Sequence, residues 1–322
     1  MQDLREFYND SAKPALIEKL LLSYLASMDK EMTLAPADKE EQDPTVYLWL
    51  LYFISHHYMY LRDFKTALVY VNKAIEHTPT LLELYTLKGK ICYKAGDTSI
   101  AAELFEEARL MDTADRAINA ISALYQLKAG KVDEGEEIMS IFFKDCGYES
   151  TVMDNQCIWF EQTNGTSRFR IGEYRTALKQ FSYVMGHLTD MVDDQYDYYL
   201  YSLRKFTLAS FEGLMTFNDH ELYQYKPILK ATTDLVRLVA RVDKNRESIT
   251  AGWKPEYEAY LVSDKYATLL KDIENAVVDE EEYKKDTDPD GYHKFNDLVD
   301  NKFNIDDFVA RVAKINPECV LV

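Results

Sequence analysis

Asp286, Asp288, Asp290 and Asp297, with Gly291 among them, stand in "DTDPDGYHKFND" at the offsets of a calcium loop, where alternating carboxylates converge on one hard cation. Two substitutions weigh against that chemistry. Position eight is His293, where an apolar residue normally pairs two loops, and position twelve is Asp297 in place of a bidentate glutamate. No second loop of this kind follows, so an acidic turn is the better reading. The six histidines form no HExxH, and the adjacent His56 and His57 fall on different faces of one helix. Cys92, Cys146, Cys157 and Cys319 lack CxxC spacing, which points to free, buried thiols in a reducing compartment. There is no GxSxG, no phosphate-binding loop and no glycine-rich strand-to-helix turn. The residue types that do chemistry are present without the spacing that chemistry needs, and no catalytic or metal site is expected.

The elements that would position any such residues are helices. Of 322 residues, 47% are hydrophobic and 13% aromatic, while only 11 are Gly and 8 are Pro. That composition supports a large core and is poor in turn formers. Small residues recur at a fixed interval: Ser55, Gly89 and Ala123 are 34 apart, as are Ala67 and Ala101, and Ala74 and Ala108. The next step lands on Gly135 and Phe142. A fourth unit, "WFEQTNGTSRFRIGEYRTALKQFSYVM", keeps the internal spacing with Gly165, Tyr174, Ala177 and Phe181 but arrives after 42 residues. That implies an eight-residue insertion around "KDCGYESTVMDN". A 34-residue helix-turn-helix with small residues at the close crossing is the tetratricopeptide signature, and Pro79 should mark where one hairpin gives way to the next. The expected fold is all-α, a right-handed superhelical solenoid of helix hairpins with a groove.

Around the array, "PALIEKLLLSYLASM" should pack ahead of the first full repeat, followed by a polar loop ending at Pro44. The expected organisation is an N-terminal helix and loop over 1–44 and a tetratricopeptide solenoid over 45–242. An acidic, partly ordered linker over 243–297 and the start of a further helical segment over 298–322 should follow. Tyr196, Tyr199, Leu203 and Phe206 recur at helical spacing and read as helix-packing core. Lys271–Asp290 carries nine acids against three lysines, the composition of a solvated stretch. With 37 Lys+Arg against 55 Asp+Glu, the net charge of −18 disfavours nucleic acid and anionic membranes and suggests an acidic groove with a basic partner. No 18-residue apolar run and no signal-peptide pattern occur, so a cytoplasmic protein is expected.

Several blocks are more specific than the repeat. "YNDSAKPALIEKLLLSY", "TALVYVNKAIEHTPTLLELY", "LMDTADRAINAISALYQLKAG", "NQCIWF" and "DDQYDYYLYSLRKFTL" resemble, in order and spacing, the auxiliary tetratricopeptide subunit of N-terminal acetyltransferase A. The similarity covers about residues 7–230 and, more faintly, "DTDPDGYHKFNDLV", which looks like the family's Asp-Pro linker. The resemblance implies the central part of a longer, non-catalytic scaffold. Such a scaffold wraps an acetyl-CoA-dependent catalytic subunit of the GNAT fold and tunes it toward Ser, Ala, Thr, Gly or Val N-termini. It also helps place that subunit at the ribosome. The resemblance further implies an inositol hexaphosphate site at the subunit interface, where Arg116, Tyr125 and Lys128 match the family pattern. Ile121 and Leu124 stand there at positions often basic, which weakens a site built on charge-assisted bonds. The lysine-rich tract of many relatives is replaced by the acidic "VSDKYATLLKDIENAVVDEEEYKK". The alternative reading is a generic tetratricopeptide adaptor for a basic peptide or protein.

Overall fold

The structure, a computed structural model, describes residues 2–10, 12–34, 40–141, 156–193, 195–205, 207–278 and 286–315. Every regular element among the described residues is a helix. The chain forms two compact units, Met1–Phe142 and Phe143–Val322.

In the first unit a short 3-10 helix (Gln2–Asn9) precedes α1 (Lys13–Glu31), α2 (Pro44–Tyr60), α3 (Phe64–His77), α4 (Leu82–Ala95), α5 (Thr98–Met111), α6 (Arg116–Lys128) and α7 (Val132–Ser140). Consecutive helices pack in order, so α2/α3, α4/α5 and α6/α7 are stacked hairpins, with α1 against α2 as expected. Asp43 caps α2 by accepting from the Thr45 N–H at 2.8 Å. Asp63 and Asp97, 34 apart, cap the second helices of the first two hairpins.

The small residues sit where the helices cross. Ser55 is fully buried and donates from Oγ to the Ala67 carbonyl at 2.9 Å, which ties the α2/α3 crossing together. In the next hairpin a Cβ placed on Gly89 would fall 2.8 Å from the Phe105 ring, so only glycine lets that ring lie against α4. The third hairpin inverts the arrangement, with Gly135 of α7 under Leu127 of α6. Within two residues of its end each first helix is followed by a residue in the left-handed region: Arg62, Gly96 and Gly130 in this unit, at the same 34-residue interval. Pro79 does not open α4. It lies in the connecting turn, three residues before the helix starts, and its carbonyl accepts from the Tyr85 hydroxyl at 2.9 Å.

The second unit holds α8 (Ile158–Ile171), α9 (Tyr174–Asp193), α10 (Gln195–Lys205), α11 (Leu208–Thr216), α12 (Lys226–Lys244), α13 (Arg246–Leu261), α14 (Asp264–Val278), α15 (Tyr292–Val299) and α16 (Asp306–Ile315). The α8/α9 hairpin repeats the crossing, with Phe181 against Gly165, and α8 ends on left-handed Gly172, 42 residues beyond Gly130. The implied insertion lies outside the described residues. α8 also packs on α12, which buries it on nearly every side.

One expectation needs revision. Leu203 is not helix-packing core: it is 53% exposed, and Leu200 and Tyr201 beside it are exposed as well. Tyr199 does pack, edge-on to Phe211, while the side chains of Tyr196 and Phe206 lie outside what the structure describes. The described part of 243–297, expected as an acidic and partly ordered linker, holds α13, α14 and most of α15, and its residues 279–285 lie outside the described residues. Trp253, half stacked with Tyr257 and Tyr292 and edge-on to Phe295, gives this region an aromatic core.

Candidate protein-interaction face

The first helices of the three hairpins present one continuous row of rings and cations. Repeat phasing puts Tyr60, Lys94 and Lys128 at equivalent positions, 34 residues apart. Stacking brings them into register: Lys94 Nζ lies 5.2 Å from the Tyr60 ring centre, and Lys128 Nζ lies 4.5 Å and 4.6 Å from the Tyr93 and Tyr125 rings. Tyr125 in turn stacks on Phe105 at 3.8 Å and meets Tyr93 edge-on at 5.1 Å. The ring faces hold the ammonium groups by cation–π attraction and hold them in place.

On α2, Tyr52, His56 and Tyr60 share one face at four-residue spacing. His56 is edge-on to Tyr52 at 4.8 Å and near-parallel to Tyr60 at 6.4 Å. Burial, together with Lys90 and Lys94, pushes the His56 pKa down to about 4, so the imidazole is neutral at physiological pH. His57 takes the opposite face, fully buried, with Nδ1 2.8 Å from the Tyr8 hydroxyl. Burial likewise lowers the pKa of Lys90 and raises that of Tyr125 to about 12.

Where an acidic groove was expected, this row carries cations: Lys90 and Lys94 lie near His56, Lys128 lies over Tyr93 and Tyr125, and Glu83 lies near Tyr52. α2, α4 and α6 carry five cations (Lys88, Lys90, Lys94, Arg116, Lys128) and one anion (Glu83). α3, α5 and α7 carry eight anions and three cations. Net charge hides this because it averages over both sides of each hairpin. A cationic, aromatic row backed by an anionic layer steers toward an acidic surface and orients it on arrival.

Of the three residues singled out for an inositol phosphate, Tyr125 and Lys128 adjoin each other. Arg116 does not join them: it opens α6, and twelve residues of helix separate it from Lys128 by about 18 Å. The other groups that do chemistry are occupied. The Glu161–His187 pair, at 2.8 Å, is buried inside the second unit where no substrate reaches it. Burial raises the pKa of the Cys92 thiol and pushes that of Cys157 up to about 11, away from the nucleophilic thiolate. Cys146 and Cys319 lie outside the described residues.

The acidic turn has a structural role as well. Asp288 accepts from the backbone N–H groups of His293 at 3.1 Å and Lys294 at 2.9 Å, capping α15. Asp286 pairs with Lys179 and accepts from the Tyr183 hydroxyl, and Asp290 pairs with Lys265 at 2.8 Å. Gly291 has φ +73°, and a Cβ there would come within 2.9 Å of the Lys179 side chain. These carboxylates diverge toward separate partners instead of converging on a cation.

A model of the family "N-terminal acetyltransferase A, auxiliary subunit" matches residues 1–293. The chain belongs to that family. It is 34% identical over 247 residues to the mouse N-alpha-acetyltransferase 16, NatA auxiliary subunit, covering 75% of this chain and 28% of that protein. It is 35% identical over 250 residues to the Arabidopsis thaliana N-terminal acetyltransferase A complex auxiliary subunit NAA15, covering 78% and 28%. The chain thus spans little more than a quarter of the length of these relatives. Among solved structures, that of Naa15/Naa10 bound to HypK-THB contains a similar fold, with TM-score 0.62 and 23% identity, covering 99% of this chain and 51% of that one. Family and helical fold agree with the reading of the sequence. Among the described residues, no helix is long and apolar enough to cross a membrane.

Sequence reasoning missed two signals that were present. The series Arg62, Gly96, Gly130, Gly172 repeats the 34, 34 and 42 spacing independently of the alanines. The partition of charge between first and second helices becomes visible once the hairpins are phased.

Proposed function

We propose that this chain is the part of a non-catalytic auxiliary subunit that grips the GNAT-fold catalytic subunit of an N-terminal acetyltransferase, with the row on α2, α4 and α6 as a contact. The observation that carries this reading is the segregation of charge onto a ring-lined face in a chain of that family. By chemistry the docked surface is acidic. Holding the catalytic subunit against a fixed face gives the scaffold its means of tuning the peptide site, and the assembled complex is placed at the ribosome in the cytoplasm. Inositol hexaphosphate bridges at Lys128 and Tyr125 only where the docked surface brings cations of its own to that point, and Arg116 stands about 18 Å away along α6. The adaptor alternative loses its motive in the first unit, because a basic peptide has no complement on a cationic face.

The test is co-expression of the tagged chain with the catalytic subunit, followed by capture and acetylation of Ser- and Glu-starting peptides. Retention of the partner with a preference for Ser is expected. The double reversal Lys94→Glu/Lys128→Glu should weaken capture about a hundredfold, while Glu134→Lys/Glu137→Lys on the opposite side leaves it unchanged. Capture that ignores the first reversal, or that never occurs, would sink the assignment. Co-sedimentation of the assembled complex with ribosomes tests the placement separately.

A further inference from the structure

The second unit contains a basic cleft of about 440 Å³ between α8 and α12. α12 contributes Lys226, Lys230 and Arg237 along one stripe, and α8 contributes Arg170 from its last turn. Phe169 and Leu229 supply apolar wall between them. The one carboxylate in the lining, Asp234, is buried and already engaged: Oδ2 accepts from the Thr166 hydroxyl at 2.7 Å and Oδ1 from the Arg237 guanidinium at 3.1 Å. Arg170, Lys226 and Lys230 make no ion pair among the described residues.

Helix stability does not account for this arrangement. A cation in the last turn of α8 complements that helix dipole, but Lys226 and Lys230 stand in the first turns of α12, where the dipole favours anions. α12 has no acidic residue in its first turn and no side-chain cap. Burial lowers the pKa of Lys230, Asp234 opposes that shift, and the charge of Arg170 adds to it. Like charges converging in a partly enclosed cleft are unfavourable until a counter-charge arrives. In a chain of net charge −18, their survival side by side asks for a ligand.

We propose that this cleft binds a phosphate monoester, taken either from a phosphorylated side chain of a partner protein or from a free small phosphate ester. Three cations that no carboxylate holds in an ion pair match a group that carries nearly two negative charges and three acceptor oxygens, which a single carboxylate does not. Phe169 and Leu229 would receive the apolar part next to the phosphate. A nucleic acid backbone is excluded by the acidity of the chain beyond the cleft. The proposal is independent of the acetyltransferase reading.

The test is calorimetric titration of the 322-residue chain with phenyl phosphate, with a leucine-flanked phosphoserine peptide, and with that peptide unphosphorylated. Saturable, salt-sensitive binding of a phosphorylated probe is expected. Lys230→Gln and Arg170→Gln should each weaken it about tenfold, while Lys244→Gln, an exposed cation at the far end of α12, leaves it unchanged. Arg170 and Lys230 are exposed, so unchanged melting will show that these variants remain folded. A phosphopeptide at least tenfold tighter than phenyl phosphate assigns the phosphate to a protein side chain. Equal affinities, or tighter phenyl phosphate, assign it to a free ester. The proposal is overturned if neither phosphorylated probe binds, if the unphosphorylated peptide binds equally well, or if Lys244→Gln is as damaging as Lys230→Gln.

Discussion

The α4/α5 hairpin of the first unit and the α8/α9 hairpin of the second cross in the same way, yet they sit in chemically different surroundings. In both, a Phe lies against a Gly sixteen residues earlier, Phe105 on Gly89 and Phe181 on Gly165, with no space for a Cβ between them. Around the first crossing the buried neighbours are mostly small and apolar: Ala101, Ala102, Ala108 and Ile91. Around the second, α8 buries Glu161, Gln162, Thr166 and Ser167. Glu161 meets His187 at 2.8 Å, Gln162 donates to Thr166 at 2.8 Å, and Thr166 donates to Asp234 of α12. Toward the next repeat α5 adds to this apolar surface one buried hydrogen bond, from Gln126 Nε2 to the Ala102 carbonyl at 3.2 Å, whereas the linked buried side chains of α8 accept only a partner that completes their network. The same crossing therefore serves a repeating stack in one unit and a single fixed neighbour in the other.

That contrast can be broken by mutation. Phe105→Ala should give the largest effect, a loss of about 3–5 kcal/mol from the cavity left against Gly89, measured by denaturant unfolding. Asp234→Ala should destabilise by about 1–3 kcal/mol, because it strands the buried Thr166 hydroxyl. If Asp234→Ala were harmless, the polar network would not be what fixes α12, and the distinction between the units would fail.

His56 sharpens the comparison through pH. Its folded pKa of about 4 lies below its ordinary value of 6.5, so the unfolded chain binds more protons between those limits. Stability contributed by the neutral imidazole is present above the ordinary value and is lost as pH falls from there toward 4. His56→Gln should remove roughly 1–2 kcal/mol of that loss, read from melting temperatures across the window, after allowance for its partial exposure. A residual slope should remain, since burial also lowers the pKa of His57. The smallest effect is a gain. Arg62 occupies the left-handed position that Gly96, Gly130 and Gly172 fill elsewhere, and Arg62→Gly should stabilise by up to about 1 kcal/mol in thermal unfolding. A loss there would mean that the Arg62 side chain contributes more than its backbone strain costs.

The helical-hairpin architecture was legible because its signals are local and periodic. Ser55, Gly89, Ala123 and Gly165 mark crossings that any stacked hairpin must make small. The role of 243–297 was harder to read, since acidic composition suggested solvation while its order comes from Trp253, Tyr257, Tyr292 and Phe295 meeting across helices. The tyrosine stripe misled in the opposite sense: periodicity placed Leu203 on a packing face, but among the described residues it stays 53% exposed. The candidate face was misjudged because the sum of charges carries no information about which side of a hairpin each one takes.

By itself, the sequence determined the repeat, its phase, the small residues at the crossings and the family. All of these depend on side-chain size and spacing within some forty residues, which the helix translates directly into geometry. Only the tertiary structure decided that Lys94 lies over Tyr60, that Asp286 reaches Lys179, and that Arg170 faces Lys230. Lys94 meets Tyr60 when neighbouring repeats stack, and the other two pairs meet when helices distant in the chain pack together, which brings into reach charges that spacing alone does not place.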